Sequence, residues 1–129
     1  MITFCEFYSR VVLPVIRALV ARELVERYSM SQMEVANILG ITQASVNYYL
    51  HGKRRKKLID FVKNIPEVRE TVVELSRLLK EGRIESVGPL LCNLCSRIRS
   101  NDEYIRKLLK ITGSRRSRLL VVGINGRSS

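Results

Sequence analysis

The sequence predicts an all-α protein, and three observations predict it. Apolar residues recur at three- and four-residue steps through most of the chain. Segments patterned in this way open on Ser, Thr or Asn and close on Gly, as helices do. No pair of alternating runs joined by a short turn is present to make a β-hairpin, and no internal repeat is visible.

Taken in order, residues 4–12 suit a short helix that meets the next at an angle. Residues 14–28 carry Val15, Leu19, Val20, Leu24 and Val25 on one face. Pro14 fits a first helical turn, where its missing N–H does no harm. Ser31-Gln32-Met33-Glu34 reads as a capping box, with Ser31 and Glu34 each answering the other's free N–H. The helix it starts carries Val35, Ala36, Ile38 and Leu39 and stops at Gly40, which can take positive φ. One residue later Thr42 offers a second cap, for a helix over residues 43–50 that ends at Gly52. Residues 58–65 follow as a short apolar-faced helix. Asn64-Ile65-Pro66-Glu67 then opens a helix striped by Val68, Val72, Leu75, Leu78 and Leu79, which ends near Gly82. Residues 89–99 make a further helix, and Ser100-Asn101-Asp102-Glu103 caps one that ends at Gly113. From Ser114 the chain is basic and rich in Ser and Gly around one apolar run, residues 119–122. That run suits a strand, a docking segment or no order at all.

Charge narrows the class of partner. In 129 residues there are 23 Lys and Arg against 12 Asp and Glu, for a net +11. Such a surplus on a small body calls for a polyanion, with nucleic acid first and an anionic membrane second. The longest apolar stretch, residues 11–21, is broken by Pro14 and Arg17 and is shorter than the ~20 residues of a span, which disfavours the membrane. No basic region precedes an apolar segment at the N-terminus, so no secretory signal is read there. Three cysteines cannot all pair. A cytoplasmic protein is therefore expected. One His, no Trp and few carboxylates argue against catalysis, and no small-molecule substrate suggests itself. The charge is unevenly placed. Residues 1–50 hold four Arg and four Glu, residues 51–96 are net +4, and residues 97–129 are net +7. The first dense block is Lys53-Arg54-Arg55-Lys56-Lys57, just after the helix that ends at Gly52.

Two capped helices joined at Gly40-Ile41 form a helix-turn-helix pattern. A second helix can enter the ~12 Å major groove only if its leading half presents small or polar side chains outward. Gln43, Ala44, Ser45, Asn47 and Tyr48 do so, while Val46 and Leu50 point inward. Gln and Asn pair bidentately with adenine, Ala meets a thymine methyl, and Ser serves either partner. These five are the candidate base-reading residues. Residues 53–57 would lie where flanking phosphates run, making Lys53, Arg54, Arg55, Lys56 and Lys57 candidate phosphate contacts. Residues 32–51 resemble the λ repressor/Cro-like, or XRE-type, DNA-binding domains, and with flanking helices the resemblance covers some 60 residues. It implies a λ repressor-like domain over residues 1–57 and adds Gln32 and Thr42 to the phosphate contacts. In that family the glutamines matching Gln32 and Gln43 lie side by side, the first bracing the second against a base.

The remaining candidate chemistry is in the cysteines. Cys92-Asn93-Leu94-Cys95 is a CxxC, and Cys5 stands at the other end of the chain. Soft thiolates at this spacing can hold zinc or an iron–sulfur cluster, although four ligands are usual and His51 is a poor fourth. Equally, the three are small buried residues or an oxidisable pair. The chain resembles small archaeal predicted transcriptional regulators in Cys5-Glu6, in Leu13-Pro14-Val15-Ile16-Arg17 and in the CxxC, which implies a redox- or metal-responsive regulator using Cys5, Cys92 and Cys95.

The expectation is a transcription regulator that binds double-stranded DNA as a homodimer. Residues 58–113 are expected as a helical dimerisation extension, because Val68, Val72, Leu75 and Leu79 exceed what a minimal DNA-binding domain needs; the alternative is that this stripe only packs back on the chain's own core. Residues 114–129 are expected as a basic tail, ordered or not. The alternative is a protein-interaction adaptor or antitoxin-like module with DNA binding secondary. RNA is less favoured, since no aromatic stacking platform is evident.

Overall fold

The structure is a computed structural model that describes residues 2–52 and 55–113, and the backbone of 120–121. It is all-helical apart from one short parallel pairing, in which β1 (Ile2–Thr3) lies beside β2 (Leu120–Val121). Of the three readings for the apolar run at residues 119–122, its two described members therefore form a strand. The rest of the tail, and Lys53 and Arg54, lie outside the described residues.

The chain enters α1 (Phe4–Phe7) through a capping box. Thr3 Oγ accepts from the Glu6 N–H at 3.3 Å, and Glu6 Oε1 accepts from the Thr3 N–H at 3.1 Å. The expected break before Pro14 does not occur. A π-helical turn, Tyr8–Val12, carries the helical backbone directly into α2 (Leu13–Glu26). The physical reason is Pro14 itself. A proline within an α-helix clashes with the carbonyl four residues back and leaves it without a donor. Widening the preceding turn, with the Leu13 N–H donating to the Tyr8 carbonyl, lets the helix pass the proline.

Helix α2 is the central element, packing against the four helices that follow it. It buries Val15, Ile16, Val20, Ala21 and Leu24. After it come α3 (Gln32–Leu39) and α4 (Gln43–His51), which cross one another and lie against it. Helix α5 (Lys56–Lys63) starts earlier than the apolar pattern suggested, so Lys56 and Lys57 form its first turn. Pro66 opens α6 (Pro66–Lys80), a single-turn 3₁₀ segment (Ile84–Ser86) leads into α7 (Val87–Arg99), and the Asn101 side chain caps α8 (Asp102–Thr112). One hydrophobic core runs through the whole, from Phe4 and Phe7 through Leu24 and Leu58 to Leu94, Ile98 and Leu108.

The stripe on α6 has a different use from the expected one. Val68, Val72 and Leu75 are buried in the chain's own core, with Leu79 half-buried. Helices α2 and α7 cover this face, so it is not free to pair with a second copy. Amphipathic periodicity shows that a face is buried and is silent on what buries it.

One α6 residue is at odds with its surroundings. Ser76 is fully buried, and its Oγ has no hydrogen-bond partner among the described residues, whereas the neighbouring Thr71 hydroxyl donates to the Glu67 carbonyl at 2.8 Å. An unsatisfied buried hydroxyl costs more than it contributes. Ser76→Ala is expected to raise the unfolding free energy by about 1 kcal/mol in urea titrations; a loss of stability would mean that the hydroxyl is satisfied in solution.

Candidate functional site

Helices α3 and α4 are each set by local chemistry. Ser31 and Glu34 close a capping box, the Ser31 Oγ accepting from the Glu34 N–H at 3.1 Å and Glu34 Oε1 accepting from the Ser31 N–H at 2.8 Å. Gly40 ends α3 with φ +69°, a left-handed conformation that favours glycine, and both its own N–H and that of Ile41 turn back to the Ala36 carbonyl. Thr42 starts α4, its Oγ1 accepting from the Ser45 N–H at 3.0 Å and donating to Ser45 Oγ at 2.9 Å. Val35 and Val46 seal the crossing at 0% exposure, and Ala36 supplies the small residue beside them.

With Val46 turned inward, Gln43, Ala44, Asn47 and Tyr48 are exposed and Ser45 half-buried. Tyr48 and Tyr49 divide, the first at 47% exposure and the second packed against the core. Gln32, at the start of α3, is half-buried and joins this face through a hydrogen bond from Asn47 Nδ2 to its Oε1 at 3.4 Å. The partner of Gln32 is thus Asn47, not the Gln43 that the family resemblance implied. Met33 stands beside Gln32 at 61% exposure. Glu34 is the only acid in residues 31–52, and its carboxylate is engaged at the cap, so the face has no free negative charge.

The end of α4 depends on Gly52 for a reason other than positive φ. Its φ is −69°, and a Cβ there would stand 2.6 Å from the Tyr48 carbonyl and 2.9 Å from the Tyr48 ring. The close approach seats the Tyr48 ring over the exit of the helix. Beyond it, Arg55 takes φ +58° at the N-cap of α5 with no capping side chain. Arg55, Lys56 and Lys57 are all exposed there. Cations at a helix N-terminus oppose the helix dipole, an arrangement that an incoming anion relieves.

Two cations missed from the sequence belong to the same end of the molecule. The Arg22 guanidinium, on α2, donates to the Leu50 carbonyl at 3.3 Å and so caps the last turn of α4. Arg22, Lys56 and Lys63 also line a crevice of about 480 Å³, with Asp60 as its one acid. Arg22 lies 28 residues before Leu50, so no local spacing could have signalled the contact.

The cysteines lie away from this face, on α1 and α7. Burial, and next the Cys5 thiol, push the Cys95 thiol up to about 11. Cys5 and Cys92 are exposed. The Tyr8 hydroxyl donates to the Leu91 carbonyl at 3.1 Å, and its pKa is raised, first by burial and then by Cys95 and Cys92. The expected metal or iron–sulfur site at Cys5, Cys92 and Cys95 does not fit this arrangement. Among the described residues no group of three or more His, Cys, Asp or Glu side chains could hold a metal ion. The single His, His51, closes α4 and does not join the cysteines.

Among the described residues no helix is long and apolar enough to cross a membrane. No family model, curated protein or solved structure matches the chain.

The thiol chemistry yields a direct check. In native protein at pH 8, iodoacetamide should modify Cys5 and Cys92 well before Cys95, since only the thiolate attacks and Cys95 is both buried and protonated there. Peptide mass mapping over time reads the order, and early modification of Cys95 would contradict the assigned burial.

Proposed function

We propose that the chain is a cytoplasmic transcription regulator that binds double-stranded DNA sequence-specifically and is not an enzyme. In this reading α3 and α4 form a helix-turn-helix of the λ repressor type. Helix α4 enters the major groove, where Gln43, Ala44, Ser45, Asn47 and Tyr48 meet base edges. Gln32 and Thr42 meet the phosphates at its leading end, and Arg55, Lys56 and Lys57, with Lys53 and Arg54, those at its trailing end. Arg22 and Lys63 add to the second group.

One observation carries the reading. An uncharged hydrogen-bonding face, with Gln32 bonded to Asn47, sits directly before a helix start carrying three exposed cations. Uncharged amides discriminate among bases, and cations hold any phosphate, so this is the division of labour that specific duplex binding requires. The chain acts as a homodimer in this reading, which would set two α4 helices about 34 Å apart on a pseudo-palindrome. The dimer contact lies elsewhere than the buried α6 stripe.

Selection of bound fragments from a random duplex pool tests the proposal, and a sharp motif with two-fold symmetry is expected. Binding that depends on salt but recovers no motif would favour an adaptor whose contact with DNA is secondary. Within a selected site, Gln43→Ala should cost about 1–3 kcal/mol of specific affinity and relax preference at one base pair. Lys56→Ala with Lys57→Ala should instead weaken all sequences alike, and reduce the slope of log affinity against log salt by about 2. Competition titrations at several salt concentrations separate the two effects; a change in sequence preference on removing the lysines would reverse the assigned roles.

A further inference from the structure

A second site lies on the other side of α3. Helices α2, α3, α6 and α7 and the 3₁₀ segment border a cavity of about 240 Å³ that opens to solvent. Its walls include Ile16, Ile38, Leu39, Leu79, Val87 and Leu91, and every lining residue is apolar except Arg17. Several of these side chains are only half-buried, and Ile84 at the rim is 70% exposed. The packing of the described residues therefore leaves apolar surface uncovered here. Arg17 is exposed and makes no ion pair among the described residues, whereas Arg10, Arg27, Arg77, Arg83 and Arg97 are each paired with a glutamate.

We propose that this cavity binds a small apolar carboxylate, an aromatic ring or branched chain bearing one carboxylate that pairs with Arg17. Volume and charge together choose that class. An apolar cavity of about 150 Å³ accepts benzene, so the space here accommodates a ring with a short substituent. Apolar walls retain the ring by removing it from water. A lone guanidinium at the mouth matches a carboxylate bidentately and leaves a neutral or cationic headgroup without a partner. A neighbouring protein chain would find one concave pocket with a single fixed cation instead of an extended apolar face with a polar rim.

The site has a consequence that rests on the DNA-binding reading. Ile38 and Leu39 are the last residues of α3, immediately before the Gly40 turn that carries α4. An occupant wedged between them and α6–α7 bears on the seat of α3, and so couples ligand binding to the presentation of α4.

The test begins without DNA, so that it stands apart from the proposed function. Titration of the full chain with phenylacetate, followed by calorimetry and amide NMR, should give saturable binding with a dissociation constant on the order of 0.1–1 mM for about ten heavy atoms. The perturbed amides should fall on α2, α3, α6 and α7. Phenylacetamide should bind about tenfold more weakly, and Arg17→Gln should remove that preference without changing the fold, because Arg17 is exposed. Val87→Phe, which fills the cavity from its wall, should abolish binding of both. No saturable binding, equal affinity for acid and amide, or dimerisation through this face detected by sedimentation would each overturn the site. Where the motif selected above is available, saturating phenylacetate should change affinity for it at least twofold. Unchanged affinity overturns the coupling, while absence of any selected motif overturns the DNA-binding reading and leaves the ligand site to its own test.

Discussion

Burial of α2 is the constraint on which the other elements depend. Leu24 and Ala21 have no exposed surface, and Ile16 and Val20 have almost none. Each full burial of a side chain the size of Leu removes apolar surface worth about 1.5–3 kcal/mol from water. That gain requires neighbours, and α3, α4, α5 and α6 supply them. The orientation of the outer face of α4 follows from this packing. Once Val46 is committed to the core, helical periodicity sends Ala44 and Asn47 outward, and Gln43 is exposed as the first residue of the helix. The same helix carries Arg22 to the last carbonyls of α4, so a core element also delivers a cation to the candidate site.

Charge on this body is sorted by what it can pair with. Glu23 holds Arg27, Glu74 and Glu81 hold Arg77, and Glu70 holds Arg97, all at wholly or partly exposed positions where such pairs stabilise only weakly. The acids Glu67 and Glu34 are engaged differently, by the Tyr104 hydroxyl and by the Ser31 N–H. The hydroxyl of Tyr104 is the first cause that holds the Glu67 carboxyl below its ordinary value. Arg55, Lys56 and Lys57 remain at the start of α5 with the helix dipole against them. Helix α4 itself carries no Lys, Arg, Asp or Glu, and three exposed cations stand at the start of the helix that follows it.

The cysteine pattern shows how spacing and environment can point in different directions. A CxxC on a helix places two thiols one turn apart, which suits a metal by spacing alone. In the folded chain Cys95 faces the core between α1 and α7, and Cys92 faces solvent. Desolvation therefore favours the neutral thiol at Cys95, while Cys92 one turn away stays in water.

What the sequence determined by itself is the set of features held by interactions within one turn of helix. The boxes at Ser31 and Glu34, the cap at Thr42, the stop at Gly40 and the cap at Asn101 are contacts spanning three or four residues, so their spelling is their geometry. The outward face of α4 was legible for the same reason, since periodicity assigns one side once the other is apolar. Tertiary structure alone decided what covers each apolar stripe, which is why the α6 face expected to pair two copies proved to be this chain's own interior. It decided too that Gln32 meets Asn47, that Arg22 reaches Leu50, and that five elements leave an apolar cavity with Arg17 at its edge. Those contacts join residues 15 or more positions apart, and their partners are selected by the packing of whole helices, for which no local spacing carries a signal.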